Sequence, residues 1–384
     1  MSEFLLDKIG KGNASESFID SGIDIADIKN IIFNSYKEYK KPRNLDKLDE
    51  ILFKELNNKT IPLNLNSHIS EYIKNNKDDK NNIINYLRFR YKFYIAGKNK
   101  INLGYPPYVL IEPVSACNLK CPFCFQSDKT FSKIKKFMGV MKFDFFKKII
   151  DECASIGVGA ITMASRGEPT MNKKLDQMIT YAANKKKFFE IKINTNGTFL
   201  TEKLCHSIFK NNLTNIVISA DHYIKEDFER LRLGSNFEKV VKNVDMLFNI
   251  RKKFYPNSNT EIRISGIDNE KNLNMKNFKD FWIKRSDNVS AGFPIERWNT
   301  YTNNIHTKLK SPCENLWDRM YIWYDGKVNP CDSDYKSYLS YGNLNDNSIK
   351  EVWNNKINED LRHKHLKLER IYVNPCDRCG ICHE

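Results

Sequence analysis

The chain has 384 residues, of which 41% are apolar and 12% aromatic, enough to bury the core of more than one domain. Its formal charge of +15 comes with no zinc-finger spacing, RNP-like segment or basic heptad, and no run of about 18 apolar residues occurs, which argues against a nucleic-acid partner and a membrane span. Lys and Arg number 18 against 14 Asp and Glu in residues 1–100, 32 against 21 in 101–300, and 12 against 12 in 301–384, so the excess sits mid-chain. A positive field there would favour an anionic substrate; a solvated basic surface in a Lys-, Asn- and Ile-rich chain is the plainer account. The start, Met1 to Lys8, lacks a signal peptide's basic and apolar segments, so a cytoplasmic location is expected. Ten cysteines in such a chain point to metal or redox chemistry in place of disulfides.

Helical apolar spacing over 25–39, 45–56, 69–73 and 83–94, with Asn-rich connectors between, predicts a helical accessory region for residues 1–102. From Tyr108 the pattern changes to short β-rich runs at 108–113, 160–163, 190–194, 215–220, 261–265 and 289–293. Helical stretches at 143–156, 172–184, 202–211, 237–252 and 275–284 separate them. Strands alternating with helices imply βαβ units on a parallel sheet. Six units over 103–300 fit a partial (β/α)6 TIM-like barrel of α/β class, whose chemistry belongs at the C-terminal strand ends. Residues 301–384 break the rhythm with a hairpin centred on Asp325-Gly326 and a helix over 348–364, a small α+β domain.

The most specific signal is Cys117, Cys121 and Cys124, spaced C-x3-C-x2-C just after the first strand. Iron-sulfur clusters are normally completed by four cysteines, so three thiolates hold a four-iron cluster with one iron open to a small molecule. A second group comprises Cys313, Cys331, Cys376, Cys379 and Cys382, the last three spaced C-x2-C-x2-C. By spacing alone, a tetrahedral zinc site competes with an iron-sulfur cluster here. Cys153 and Cys205 lie in amphipathic helices and read as buried thiols, with a hydrogen-donor role as the alternative. His363 and His365 read as surface residues of a charged stretch.

Further segments follow the predicted strands in order: Ser165-Arg166-Gly167-Glu168-Pro169, Asn194-Thr195-Asn196-Gly197, Ser219-Ala220-Asp221 and Ile262-Arg263-Ile264-Ser265-Gly266. With the cysteine loop they resemble the radical SAM superfamily, in which S-adenosylmethionine on the open iron is cleaved to a 5′-deoxyadenosyl radical. The resemblance implies that Gly167, Glu168 and Pro169 help hold the methionine amino group, with Arg166 standing where the family has a glycine. It places Asn194 and Asn196 near the ribose or methionine carboxylate, Ser219 and Asp221 by the ribose, and Phe123 and Ile264 by adenine. The C-terminal cysteines resemble the SPASM and shortened twitch extensions, with enough ligands for one auxiliary [4Fe-4S] cluster. The implied set is Cys313, Cys331, Cys376 and Cys379, similar to the twitch arrangement of aminocyclitol dehydrogenases, with Cys382 spare or a substitute.

Oxidising an alcohol also needs a base, and Glu296 and Arg297, after the sixth strand, are the candidates. Glu296 has the more suitable acidity; twitch dehydrogenases resemble this layout with an Arg. The expected function is a two-electron dehydrogenation of a sugar, aminocyclitol or sugar-nucleotide, with a flavodoxin or ferredoxin-type electron donor. A peptide maturase, a sugar epimerase and a non-enzymatic iron-sulfur or zinc scaffold are the alternatives.

Overall fold

The computed structural model describes residues 24–268, 273–292, 299–305 and 310–381. It opens on four helices, α1 (Ile25–Glu38), α2 (Lys47–Asn57), α3 (Ser67–Asn75) and α4 (Lys80–Asn99), each preceded by an Asp or Asn whose side chain accepts from a first-turn backbone N–H. The first helix starts where apolar periodicity placed it, and the caps set the other three starts two or three residues from the expected 45, 69 and 83. Ile28 and Ile32, Leu52 and Leu56, Ile69 and Ile73, and Ile83 and Leu87 make one apolar cluster. That cluster continues into the next domain through Ala160, Tyr108 and Phe189.

Six parallel strands follow: β1 (Tyr108–Ile111), β2 (Ala160–Met163), β3 (Glu190–Thr195), β4 (Asn215–Ser219), β5 (Glu261–Ile267) and β6 (Asn288–Gly292). Each pairs with the next in sequence, the order of a (β/α) barrel left open after its sixth strand. Side-chain alternation sorts each strand. Val109, Ile161, Ile193, Ile218, Ile264 and Val289 face the surrounding helices and form the main core, while Leu110, Thr162, Lys192, Ser219, Ser265 and Ser290 take the inner face. Cys153 and Cys205 lie fully buried in that outer core. The helix Lys225–Leu231 was not expected, because its seven mostly charged residues carry little apolar period.

The first hundred residues close the N-terminal end of the barrel. Glu190, at the start of β3, is buried and receives Tyr86 Oη at 2.9 Å, His68 Nε2 at 2.9 Å and Arg90 Nη1 at 3.2 Å. Lys192 joins at 2.8 Å. Burial works against this carboxylate, yet Lys192, His68 and Arg90 hold it well below the usual range. Phe89 stacks on Phe189 at 5.6 Å and fills the space over Gly159, where a Cβ would stand 2.1 Å from the Phe89 ring. An alanine at 159 would therefore force the Phe89 ring to shift.

The C-terminal part continues the same sheet. β7 (Arg319–Ile322) adds parallel to β1, and β8 (Lys327–Asn329) and β9 (Gly342–Asn343) follow antiparallel, so the Asp325-Gly326 hairpin forms as expected. The stretch read as one helix over 348–364 is two, Ile349–Trp353 and Lys356–Leu366. Asn355 caps the second helix, where a continuous apolar count had hidden the break. No helix among the described residues is long and apolar enough to cross a membrane.

Candidate active site

The loop after β1 carries Cys117, Cys121 and Cys124 at the C-terminal end of the barrel. Its turns are internal: Cys124 N–H donates to the Cys121 carbonyl at 3.0 Å, and the thiol of Cys124 caps the short turn Phe125–Ser127. Cys117 Sγ faces the Leu119 N–H at 3.4 Å and Asn196 Nδ2 at 3.8 Å. Burial pushes the Cys117 thiol up to about 11, and the Cys121 thiol upward too, with Arg232 opposing the latter. Such thiols become good ligands only when a cation compensates the thiolate charge. Phe123 is half-buried on the same loop.

The segments after β2 and β3 are tied to that loop by one hydrogen-bond network. Glu168 is buried, and its carboxylate accepts from Thr195 Oγ1 at 2.6 Å, Asn196 N–H at 2.7 Å and Thr170 N–H at 3.1 Å. Asn196 in turn donates to Asn118 Oδ1 at 2.9 Å and accepts from Thr198 Oγ1 at 2.6 Å. Gly167 lets the chain pass beneath the loop. A Cβ there would lie 2.2 Å from the Val114 carbonyl oxygen and 2.5 Å from that of Ala116, and Pro169 then opens a 3-10 turn capped by Glu168. Glu168 and Asn196 thus meet the cysteine loop directly.

Asn194 is exposed on the inner face of β3, and Ser219 ends β4 opposite Ser265 of β5. Asp221 is buried, accepts from Ile267 N–H at 2.9 Å and pairs with Arg232 at 2.8 Å. Arg232 went unnoticed in the sequence, since nothing about a lone Arg after a short helix marks it; its charge acts on both Cys121 and Cys117. Ile264, expected by adenine, turns its side chain away from the inner face. Its side chain is fully buried in the helix-facing core, because alternation gives the inner face of β5 to Arg263, Ser265 and Ile267 instead. Glu296, Arg297 and Cys382 lie outside the described residues.

Arg166, at the position where a glycine was expected, is buried and forks onto Glu112 with Nε to Oε1 at 2.7 Å and Nη2 to Oε2 at 2.6 Å. Its Nη1 donates to the Tyr335 carbonyl at 2.9 Å, and the guanidinium lies 4.2 Å from the Trp323 ring centroid. Tyr335 stacks on Phe125, one residue past Cys124, at 5.1 Å. The arginine therefore joins the barrel, the cysteine loop and the C-terminal part.

Cys313, Cys331, Cys376 and Cys379 are brought together: Cys331 feels the charge of the other three, and Cys376 that of Cys313 and Cys379. Burial first, then these neighbours, push the Cys331 and Cys376 thiols well up. Among the described residues no three His, Cys, Asp or Glu side chains gather tightly enough around one bare ion. His365, read as surface, is instead fully buried beside this group, its Nδ1 accepting from the Cys313 N–H at 3.2 Å.

Two family models match the chain: the radical SAM superfamily over residues 111–281 and an iron-sulfur cluster-binding domain, SPASM, over 313–380. A GTP 3′,8-cyclase of Aquifex aeolicus (strain VF5) is 23% identical over 301 residues, covering 68% of this chain and 91% of the relative. Among solved structures, Streptococcus suis SuiB bound to S-adenosylmethionine aligns with a TM-score of 0.57 at 14% identity, over 91% of this chain and 95% of that one. BtrN in complex with AdoMet and 2-DOIA aligns with a TM-score of 0.50 at 18% identity, over 72% and 93%. The fold is shared with both structures. The two domains bring S-adenosylmethionine, a [4Fe-4S] cluster and auxiliary iron-sulfur binding with them, and the buried thiols of both groups fit that chemistry. The chain is a member of the radical SAM superfamily with a C-terminal SPASM extension.

Proposed function

We propose that this enzyme removes two electrons from a small polar substrate of the sugar, aminocyclitol or sugar-nucleotide class. The observation that carries the reading is that Cys331 lies within electrostatic reach of Cys313, Cys376 and Cys379, a set of four thiols that would suffice for one fully ligated cluster. In this reading Cys117, Cys121 and Cys124 hold the first cluster and Cys313, Cys331, Cys376 and Cys379 the second. Held there, the cofactors supply a hydrogen-abstracting radical and a sink for the second electron.

The chain's own residues do the rest. Glu168 and Asn196 lock the strand ends against the cysteine loop, which supports an adenosylmethionine position over Asn194 and Ser219. Toward the C-terminal end the inner face carries Asn194, Ser219 and Ser265, hydrogen-bonding groups suited to hydroxyls. We assign the substrate base to Glu296 or Arg297, which follow β6 in the chain. An epimerase would need a hydrogen donor, and Cys153 and Cys205 are buried in the outer core, away from the inner face.

The test incubates the reduced holoenzyme with S-adenosylmethionine and a panel of sugars, aminocyclitols and nucleotide sugars, read by mass spectrometry. A product lacking two hydrogens is expected from the native chain. Cys331→Ala should still cleave S-adenosylmethionine and yield none of that product; full turnover by this variant would reject the assignment.

A further inference from the structure

Arg370 is only 1% exposed and stands among the C-terminal cysteines, its charge opposing burial at both Cys313 and Cys376. Its hydrogen-bond partners are two backbone carbonyls. Nη2 donates to Ile381 at 2.9 Å and Nη1 faces Ser311 at 3.4 Å, so the guanidinium holds the chain two residues before Cys313 and two after Cys379. Its Nε is buried without a partner, and among the described residues no carboxylate pairs with it. Beside it His365 accepts a backbone N–H at Nδ1, which leaves the proton of the neutral ring on Nε2, also buried without a partner.

A buried guanidinium with no counter-charge is costly. At the other cysteine group Arg232 has such a partner in Asp221, at 2.8 Å. Among the described residues Arg370 forms no ion pair. A cluster ligated by four thiolates carries net negative charge that increases on reduction, and nearby cations and hydrogen-bond donors favour the reduced form. We propose that Arg370 is the built-in counter-charge of the auxiliary cluster and raises its reduction potential, suiting that cluster to take an electron. This rests on the reading that Cys313, Cys331, Cys376 and Cys379 hold iron and sulfide. Arg370 is thus a positioning and potential-setting residue, distinct from the ligands.

The experiment is a reductive titration followed by electron paramagnetic resonance on the full-length, anaerobically reconstituted chain carrying Cys124→Ala, in which the remaining cluster signal is the auxiliary one. Arg370→Gln keeps polar hydrogens for the two carbonyls and loses the charge. It should lower the equilibrium constant for one-electron reduction at least tenfold, a fall of 59 mV. Arg370→Lys keeps the charge and should restore most of the shift. Full iron content with an unchanged potential in Arg370→Gln overturns the proposal alone; zinc, or no metal, at these cysteines in the parent chain overturns the reading beneath it. Should Arg370→Gln fail to hold a cluster, Arg370→Lys decides. Full iron content at the parent's potential supports the counter-charge. A cluster whose equilibrium constant for reduction falls tenfold or more despite the retained charge, or no cluster at all, rejects the proposal.

Discussion

Cys117, Cys121 and Cys124 lie within eight residues of chain, whereas Cys313, Cys331, Cys376 and Cys379 are drawn from a span of 67. The first group is positioned by a self-contained loop and by the strand-end network of Glu168 and Asn196. The second exists only once β7 to β9 have joined the barrel sheet and the helix Lys356–Leu366 has packed His365 behind Cys313. Their electrostatics differ as well. Arg232 is paired with Asp221 beside the loop, while Arg370 beside the distant cysteines has no ion pair among the described residues.

The largest effect should come from the loop itself. Cys124→Ala should lower reductant-dependent formation of 5′-deoxyadenosine by more than the roughly 10–100-fold typical of losing a supporting residue. Iron at the C-terminal cysteines should persist. An active Cys124→Ala enzyme would remove the loop from the account.

Next in size is the link between the two regions. Arg166→Gly restores the glycine of the family pattern but leaves Glu112 buried without its fork, at a cost of about 3–5 kcal/mol in denaturant unfolding. Arg166→Lys should lose less, because a charge remains. If the glycine variant unfolds within about 1 kcal/mol of the native chain, the pair is not what couples barrel and extension.

The smallest effect lies away from both cysteine groups, on the barrel floor. Burial, and then Glu261 and Asp287, push the Glu71 carboxyl up to about 7. A raised folded-state pKa favours folding at acid pH, and that contribution is lost as pH climbs from the unfolded value near 4.3 through 7. Glu71→Gln should flatten this window and be more stable above pH 7, by about 1–2 kcal/mol once solvent screening is allowed for. Matching pH profiles for the two proteins would place Glu71 in water.

Much of the barrel was readable because β-branched runs of four to seven residues alternate with amphipathic helices, and the helix Phe143–Ile156 falls where expected. The cysteine spacings and the Glu168 and Asn196 segments were readable because their chemistry is local. Other features depend on partners far away in sequence. Glu112 meets Arg166 across 54 residues, and Glu190 meets Tyr86 across 104, so neither carried a signal. Which parity of β5 faces inward was not legible either, because a strand motif does not state it, and the Ile264 side chain lies in the outer core. His365 and Arg370 were hidden in a charged stretch whose burial arises only when the C-terminal turns fold back over Cys313.

The central claim is that one chain carries two iron-sulfur centres, the second completed by Cys313, Cys331, Cys376 and Cys379. Metal and sulfide analysis of the anaerobically reconstituted protein tests it most directly. About eight irons per chain, falling to about four in Cys331→Ala, is the predicted result. About four irons in the native chain, with zinc bound at the C-terminal cysteines, would contradict it.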